Sequence, residues 1–291
     1  MESKKRKYIT CTDHTVSNEK FDLLIDKEID MLVTFPQPKE EELGGYYESE
    51  DYISHTDSNK SVFDKVYQIV KNYTIKRKLQ LINSFKTEQK TILDIGCGTG
   101  DFLNICKLNG WETTGVEPNI HAHKLASKKL NIDPDDNSLF ESVESLLNHS
   151  NSKFDVITMW HVLEHVPNLK EYISFLKKLL KPNGKILIAV PNYKSYDAAY
   201  YGKFWAAFDV PRHLWHFSQR SIQQLFLEFD MEVVKTLPMK FDSYYVSLLS
   251  EKYKSGSSNP LKAFYIGTIS NFKAATTKEY SSLIYILQTA K

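Results

Sequence analysis

The residue pattern with the clearest chemistry is a set of alternating glycines behind a short apolar run. Gly96, Gly98 and Gly100 follow directly after Ile95, where the apolar run ends. This order is typical of a buried strand that breaks into a tight loop and opens a helix. Glycine in such a loop adopts backbone conformations closed to other residues and lets main-chain N–H groups approach a ligand closely. The pattern therefore predicts a ligand site at the end of a strand.

The spacing of these glycines discriminates between ligands. A dinucleotide-binding loop has the pattern G-x-G-x-x-G, whereas the third glycine here comes one residue early and Asp101 stands in the expected place. A pyrophosphate ligand is thereby disfavoured. Glu117 closes the next predicted strand about twenty residues after the loop, where a carboxylate can accept hydrogen bonds from both hydroxyls of a ribose.

Proton transfer is the second chemistry that the side chains allow, because histidine can act as a base near neutral pH. Pro211 fixes the backbone just before His213, and Arg212 beside it could hold an anionic acceptor group. A cation so near would lower the pKa of His213 and favour its neutral form. We therefore expect His213 to be the base, although a structural role is open for every histidine. The catalytic candidates are His213, His216, His165 and Arg212.

Several motifs occur in order between about residues 91 and 192, and together they resemble the class I S-adenosylmethionine (SAM)-dependent methyltransferases. Residues 91–102 resemble motif I of that family, in which an acid precedes G-x-G-x-G. Residues 155–166 resemble its fourth-strand segment, D-x-I followed by H-V-L-E-H-V, and residues 180–185 resemble the turn before its fifth strand. Within the family, the chain is most similar to the group that contains the ubiquinone-biosynthesis O-methyltransferases.

The resemblance implies that SAM is the cofactor and that a small molecule accepts the methyl group, with an oxygen acceptor mildly preferred. Asp94 would be the motif I acid, organising the glycine loop through backbone N–H groups near the methionine end of SAM. By analogy, Arg212, His213 and His216 would face the acceptor. The residues implied in SAM binding are Asp94, Gly96, Gly98, Gly100, Glu117, Ser142, Val143 and His161. Among them, Ser142 and Val143 would contact the adenine.

The elements that must position these residues alternate between strand and helix after residue 90. Such alternation demands a parallel sheet with helices on both faces, and ligands then bind beyond the carboxyl ends of the strands. We therefore predict an α/β, Rossmann-like, mostly parallel seven-stranded sheet whose last strand is antiparallel, a terminal helix being the alternative for that last apolar run. The predicted strands are residues 92–95, 113–116, 139–140, 155–159, 185–190, 232–237 and 282–287.

The predicted domain organisation is a cap over residues 1–60 and a methyltransferase domain over residues 61–291, with a helical insertion at about 242–280. The cap should contain one or two short strands, and the helix after it, residues 61–85, would either close over SAM as a lid or simply pack beside the sheet. The cap resembles a segment that forms a small zinc knob in some bacterial methyltransferases. At its four ligand positions stand Cys11, His14, Asp26 and Ile29. Isoleucine cannot ligate zinc, so we predict a degenerate knob without metal.

Composition excludes some partner classes and leaves others open. Lys and Arg number 37 against 36 Asp and Glu, giving a formal net charge of +1, so no global field favours nucleic acid or an anionic membrane. Three cysteines are too few for a disulfide framework, and no apolar run approaches the length of a membrane span. We expect a cytoplasmic protein with a small-molecule substrate and neither nucleic acid nor membrane as partner. Its oligomeric state is open.

Two alternatives from other classes remain. A noncatalytic SAM-binding protein would keep the donor motifs without turning over an acceptor, although the histidine-rich loop argues against it. A nucleotide-dependent oxidoreductase is disfavoured by the glycine spacing. The amino-methylating DNA and glutamine enzymes carry an Asn/Asp-Pro-Pro-Tyr/Phe sequence after the fourth strand, where residues 158–161 here read Thr-Met-Trp-His.

Overall fold

The computed structural model describes residues 5–47, 62–132, 138–149 and 152–290. The strands are β1 Lys5–Thr12, β2 Lys20–Asp26, β3 Met31–Phe35, β4 Thr91–Ile95, β5 Glu112–Val116, β6 Leu139–Phe140, β7 Phe154–Trp160, β8 Leu180–Pro191, β9 Trp215–His216, β10 Met231–Pro238 and β11 Ser282–Thr289. The helices are α1 Glu40–Leu43, α2 Val62–Asn83, α3 Asp101–Leu108, α4 Ile120–Leu130, α5 Val143–His149, α6 Leu169–Leu179, α7 Tyr196–Tyr201, α8 Gln219–Leu227, α9 Asp242–Ser255 and α10 Pro260–Thr277.

The main sheet has seven strands in the order β10-β11-β8-β7-β4-β5-β6. Strands β6, β5, β4, β7 and β8 pair in parallel, whereas β11 runs antiparallel between β8 and β10. This arrangement confirms the predicted fold class, including the antiparallel last strand. Because β4 and β7 are central, their side chains are buried on both faces of the sheet, which explains their nearly continuous apolar sequences.

The helix starts that flank the glycine loop follow local signals. Helix α3 begins at Asp101 directly after Gly100, whose backbone is left-handed with φ 78°. Helix α4 begins after Asn119, whose side-chain oxygen accepts hydrogen bonds from the backbone N–H groups of His121 and Ala122. Asparagine is a favoured N-cap residue, so this helix start follows from the local sequence.

The N-terminal region is more regular than the sequence suggested, so the expectation of one or two short strands was wrong. Strands β1, β2 and β3 form an antiparallel sheet that β9 extends. Strand β9 lies about 180 residues further along the chain, a pairing that local sequence patterns cannot reveal. The side chains of Cys11, Leu23 and Leu32 join a hydrophobic cluster separate from the main core. The predicted boundary of the cap at residue 60 lies outside the described residues, and the division into domains stays a prediction.

Two consecutive helices, α9 and α10, fill the range of the predicted insertion. The two helices pack closely at Gly267. A Cβ added there would lie only 2.7 Å from the Tyr244 ring and 3.1 Å from the Ser243 carbonyl oxygen. Gly256, left-handed with φ 76°, ends α9. In the described part of the chain, no helix combines the length and apolar composition needed to cross a bilayer.

Candidate active site

The glycines of the loop between β4 and α3 have different tasks, although all three are left-handed. A Cβ on Gly96 would overlap the Val162 side chain, and one on Gly100 would lie 3.1 Å from the Cα of Ala126. A Cβ on Gly98 would meet nothing within 4 Å. Packing therefore accounts for Gly96 and Gly100, whereas Gly98 faces open space where a ligand can approach the backbone.

The Glu117 side chain is hydrogen-bonded to the backbone of Gly98. Its carboxylate accepts a hydrogen bond from the Gly98 N–H at 2.8 Å with one oxygen and from the Asn119 N–H at 2.9 Å with the other. The residue is only 8% exposed. Each carboxylate oxygen can accept a further hydrogen bond, so the residues present fit a ribose diol beside Gly98.

Asp94 does not have the partners that we expected. Its carboxylate accepts a hydrogen bond from the Thr158 hydroxyl at 2.6 Å, rather than from backbone N–H groups of the loop. Burial raises the pKa of Asp94 to about 7, against the effects of Thr158 and of the Lys78 ammonium, which favour the charged form. Asp94 thus ties β4 to β7 beneath the loop.

Lys78, on α2, brings a cation to the same region. Its Nζ lies 4.1 Å from the centre of a Trp160 ring, a cation–π contact. Burial lowers the pKa of Lys78 to about 8, while Asp94 and Asp242 oppose that shift. No motif in the sequence points to Lys78, because it lies within the helical pattern of α2.

The two predicted adenine contacts lie at the start of α5. The Ser142 hydroxyl oxygen accepts a hydrogen bond from the Ser145 N–H at 3.0 Å, which caps the helix. Val143 is 1% exposed and belongs to the main core. Both positions follow β6, next to the strand that carries Glu117, and their contact with adenine stays a prediction.

His161 lies directly after β7 and is held between two acids. Its Nε2 lies 3.1 Å from a carboxylate oxygen of Asp242, and its Nδ1 lies 3.4 Å from one of Glu164. Burial alone would lower the pKa of His161, but these carboxylates raise it to about 10, so the ring is an imidazolium at neutral pH. Its φ of 59° is uncommon for a residue other than glycine.

The side chains of Glu164, His165 and His213 form one cluster. One ligand atom from each lies within 4.8 Å of the others, and the two imidazole centres are 4.6 Å apart. Glu164 is 1% exposed, and neither carboxylate oxygen accepts a hydrogen bond from the described residues. Burial would raise the pKa of Glu164, but His161 and the neighbouring histidines keep it below its usual value. The buried Glu164 carboxylate thus lies among three imidazoles, with His161 as its ion-pair partner at 3.4 Å and His165 and His213 on the ligand side.

Backbone carbonyls set the tautomers of both histidines. His165 Nδ1 lies 3.0 Å from the Arg212 carbonyl oxygen, and His213 Nδ1 lies 2.9 Å from that of Ala207. A carbonyl oxygen can only accept, so each Nδ1 carries a proton, and the neutral ring keeps its lone pair on Nε2. Burial, with repulsion from His213, lowers the pKa of His165 to about 4. Two such nitrogens and a carboxylate can accept a proton or ligate a divalent cation.

Arg212 and His216 have structural partners. The Arg212 guanidinium donates two hydrogen bonds to the Asp209 carboxylate and one to the Tyr46 carbonyl oxygen. The Thr34 hydroxyl donates to the His213 carbonyl oxygen, so His216 Nε2, 3.0 Å from that hydroxyl oxygen, is the donor to it. The predicted roles of Arg212 and His216 towards an acceptor stay predictions.

A family model described as "Methyltransferase domain" matches residues 67–236 of the chain. The match covers the glycine loop, Glu117 and the histidine cluster. The chain belongs to the SAM-dependent methyltransferase family.

Curated relatives agree at modest identity. The methyltransferase is 33% identical over 102 residues to the mitochondrial ubiquinone biosynthesis O-methyltransferase of Schizosaccharomyces pombe, covering 34% of this chain and 37% of that protein. It is 32% identical over 145 residues to the mitochondrial enzyme of Dictyostelium discoideum, covering 45% of each. It is 30% identical over 172 residues to the enzyme of Actinobacillus pleuropneumoniae serotype 7, covering 56% of this chain and 73% of that protein. The methyltransferase thus spans less than half the length of the first two relatives.

Solved structures share the fold. Magnesium protoporphyrin IX methyltransferase from Synechocystis PCC 6803, with bound SAH, matches with a TM-score of 0.51 and 14% identity over 80% of this chain and 90% of that one. The cyclopropane synthase MmaA2 from Mycobacterium tuberculosis matches with a TM-score of 0.53 and 14% identity over 87% and 99%. At such identities the likeness shows the fold alone.

Proposed function

We propose that this methyltransferase transfers the methyl group of SAM to a small-molecule acceptor, preferably at an oxygen atom. The proposal depends mainly on the Glu117 carboxylate, which is held by the Gly98 N–H beside open space at the Cβ position of Gly98. When bound, SAM supplies a methyl group activated by its sulfonium, so the protein needs mainly to position the reactants and exclude water.

On the donor side, Glu117 would accept the hydrogen bonds of the ribose hydroxyls, and Gly98 would allow the backbone to approach them. The Lys78 ammonium would pair with the carboxylate of the methionine portion, above Asp94. The remaining candidates for this side are Gly96, Gly100, Ser142, Val143 and His161.

On the acceptor side, an oxygen nucleophile must lose a proton as its bond to the methyl group forms. The Nε2 atoms of His165 and His213 would take that proton, and the buried Glu164 carboxylate would stabilise the imidazolium. We keep His213 as the first candidate. Arg212 would act as a positioning residue, because its own carbonyl oxygen orients His165.

The test is turnover of SAM with a panel of phenols, carboxylates and amines, followed by mass spectrometry of the products. Formation of S-adenosylhomocysteine with an oxygen acceptor, a phenol or a carboxylate, rather than with an amine is the expected result. Retention of SAM without turnover of any acceptor would support the noncatalytic alternative, and retention of NAD would support the oxidoreductase.

The same cluster favours a second possibility, in which Glu164, His165 and His213 ligate a divalent cation that polarises the acceptor oxygen. This reading departs from the expectation of no metal. Metal analysis of the purified protein, with and without His213→Asn, separates the two readings: a stoichiometric metal lost in the variant supports ligation.

We also propose a cytoplasmic location. The three cysteines, Cys11, Cys97 and Cys106, are free and buried, which suits a reducing compartment. Fluorescence localisation of a tagged chain tests this, and a secreted or organellar signal would contradict it.

A further inference from the structure

Helix α10 is apolar on two opposite faces. Its inner face, which includes Ala263, Ile266 and Ala274, is buried against the rest of the protein. Its outer face carries large apolar side chains at helical spacing, and two of them are almost fully exposed, Leu261 at 85% and Phe272 at 80%. A helix apolar all round is expected to be covered on every side.

We call this outer face of α10 the hairpin surface. Its exposed aromatic and aliphatic members are Leu261, Phe264, Tyr265 and Phe272. The other outward positions on this face of α10 are Thr268, Ala275 and Thr276, so no charge interrupts it. A contiguous exposed apolar face of this kind marks an interaction site.

The segment that carries the hairpin surface is rich in positive charge. Residues 239–278 contain six lysines and two acids, whereas the whole chain has a net charge of only +1. Both acids have internal partners: Asp242 lies against His161, and the buried Glu251 pairs with Lys262 at 3.1 Å. The lysines are Lys240, Lys252, Lys254, Lys262, Lys273 and Lys278.

We propose that the hairpin surface docks onto an anionic lipid bilayer. Leu261 and Phe272 would enter the boundary between headgroups and acyl chains, Tyr265 would lie at the headgroup level, and the lysines would contact lipid phosphates. The net charge of the whole chain conceals this local excess of lysines, and for that reason it predicted no membrane partner.

A second copy of the chain fits the same surface less well. In a twofold-symmetric contact the same patch faces itself, so the lysines of one copy would oppose those of the other. The repulsion falls on the rim, where no exposed acid is available within residues 239–278 to compensate. An anionic lipid surface satisfies both the apolar centre and the basic rim.

The start of α9, the helix that packs against α10, reaches the candidate active site. Asp242, the first residue of α9, contacts His161. Phe241, just before it, packs edge-on against Tyr73 of α2 with ring centres 5.7 Å apart.

The experiment is flotation of the full chain with vesicles of phosphatidylcholine alone and of phosphatidylcholine mixed equally with phosphatidylglycerol. We expect binding to the mixed vesicles only, weakened by salt. The triple variant Leu261→Ser/Tyr265→Ser/Phe272→Ser should lower the partition coefficient about tenfold or more. The matched control, Leu108→Ser/Leu227→Ser, replaces exposed leucines elsewhere on the surface and should bind as the unmodified protein does.

Circular dichroism and SAM titration of the triple variant report folding and donor binding, and both should be unchanged. A separate variant, Lys254→Gln/Lys273→Gln, should weaken binding and reduce its salt dependence. Absence of vesicle binding overturns the proposal, as does binding that the triple variant retains. A dimer in solution that the triple variant dissolves, or nucleic-acid binding that this variant loses, would also overturn it by identifying another occupant.

Discussion

The glycine loop and the histidine cluster follow neighbouring strands at the same edge of the sheet, but they are held in different ways. The Gly98 N–H is bound by Glu117, 19 residues away across one βαβ unit. In the histidine cluster, His165 Nδ1 meets the Arg212 carbonyl oxygen, 47 residues away, and the Tyr47 hydroxyl, 118 residues away. The proposed donor half is built locally, whereas the proposed acceptor half is assembled from distant segments.

This difference predicts a division of labour that mutations can test. Variants in the donor half should weaken SAM binding, because they remove groups that face the ribose. Variants in the acceptor half should lower turnover at nearly unchanged SAM affinity. A mixture of the two effects at one residue would show that the halves are not independent.

The largest effect is expected at the histidine cluster. His213→Asn keeps a side-chain N–H that can donate to the Ala207 carbonyl oxygen but has no basic Nε2. With an identified acceptor, kcat should fall about a hundredfold, the usual scale for loss of a general base. SAM affinity by calorimetry should change little, and the pH profile should lose its histidine limb. Turnover at the wild-type rate would make His213 structural and move the base to His165.

The next effect concerns the open face of the loop. Gly98→Val places a branched side chain where the ligand approaches and should lower SAM affinity about tenfold or more. Gly256→Val is the matched control, because Gly256 is also left-handed with nothing within 4 Å of its Cβ position. Both variants carry the same backbone strain, so equal SAM affinities by calorimetry would remove Gly98 from the site.

Glu117→Ala should reduce SAM affinity at least about tenfold, because even one lost charge-assisted hydrogen bond contributes roughly 1.5 to 3 kcal/mol and the Gly98 N–H also loses its acceptor. Glu112→Ala, an exposed acid at the start of the same strand, serves as the control. Calorimetry on the folded variants tests the comparison. Unchanged affinity in Glu117→Ala would exclude this residue from ribose binding.

The smallest effect is a pH dependence of stability at His161, which joins the cluster to α9. Its pKa rises from 6.5 to about 10 on folding, so the stabilisation is fully present below pH 6.5 and is lost as the pH rises through 10. Because the ring is 35% exposed, solvent screening limits the effect to about 1 kcal/mol or less. Urea unfolding of the wild type and His161→Gln should converge at high pH, with His121→Gln as the exposed control. A constant difference across this range would contradict the ion pairs.

Much of the fold follows from short-range patterns. Apolar runs predict the buried strands. The capping side chains of Asn119 and Ser218 mark the starts of two helices. The antiparallel last strand was expected from its apolar run and position. The N-terminal sheet was underestimated because it is completed by β9, and strand pairing over such a separation leaves no local signal.

For the site, the sequence by itself predicted the glycine loop and the acid at the end of the second strand of the main domain. That Gly98, unlike Gly96 and Gly100, faces open space came from the packing around the loop. Glu164 lies within the fourth-strand motif, yet only its burial beside His161, His165 and His213 singles it out. The tertiary structure alone decided that Arg212 is paired with Asp209, that His216 donates to Thr34, and that Glu164, His165 and His213 converge. The physical reason is that spacing along a chain sets local backbone geometry, whereas the partners of a buried charge depend on which distant segments pack around it.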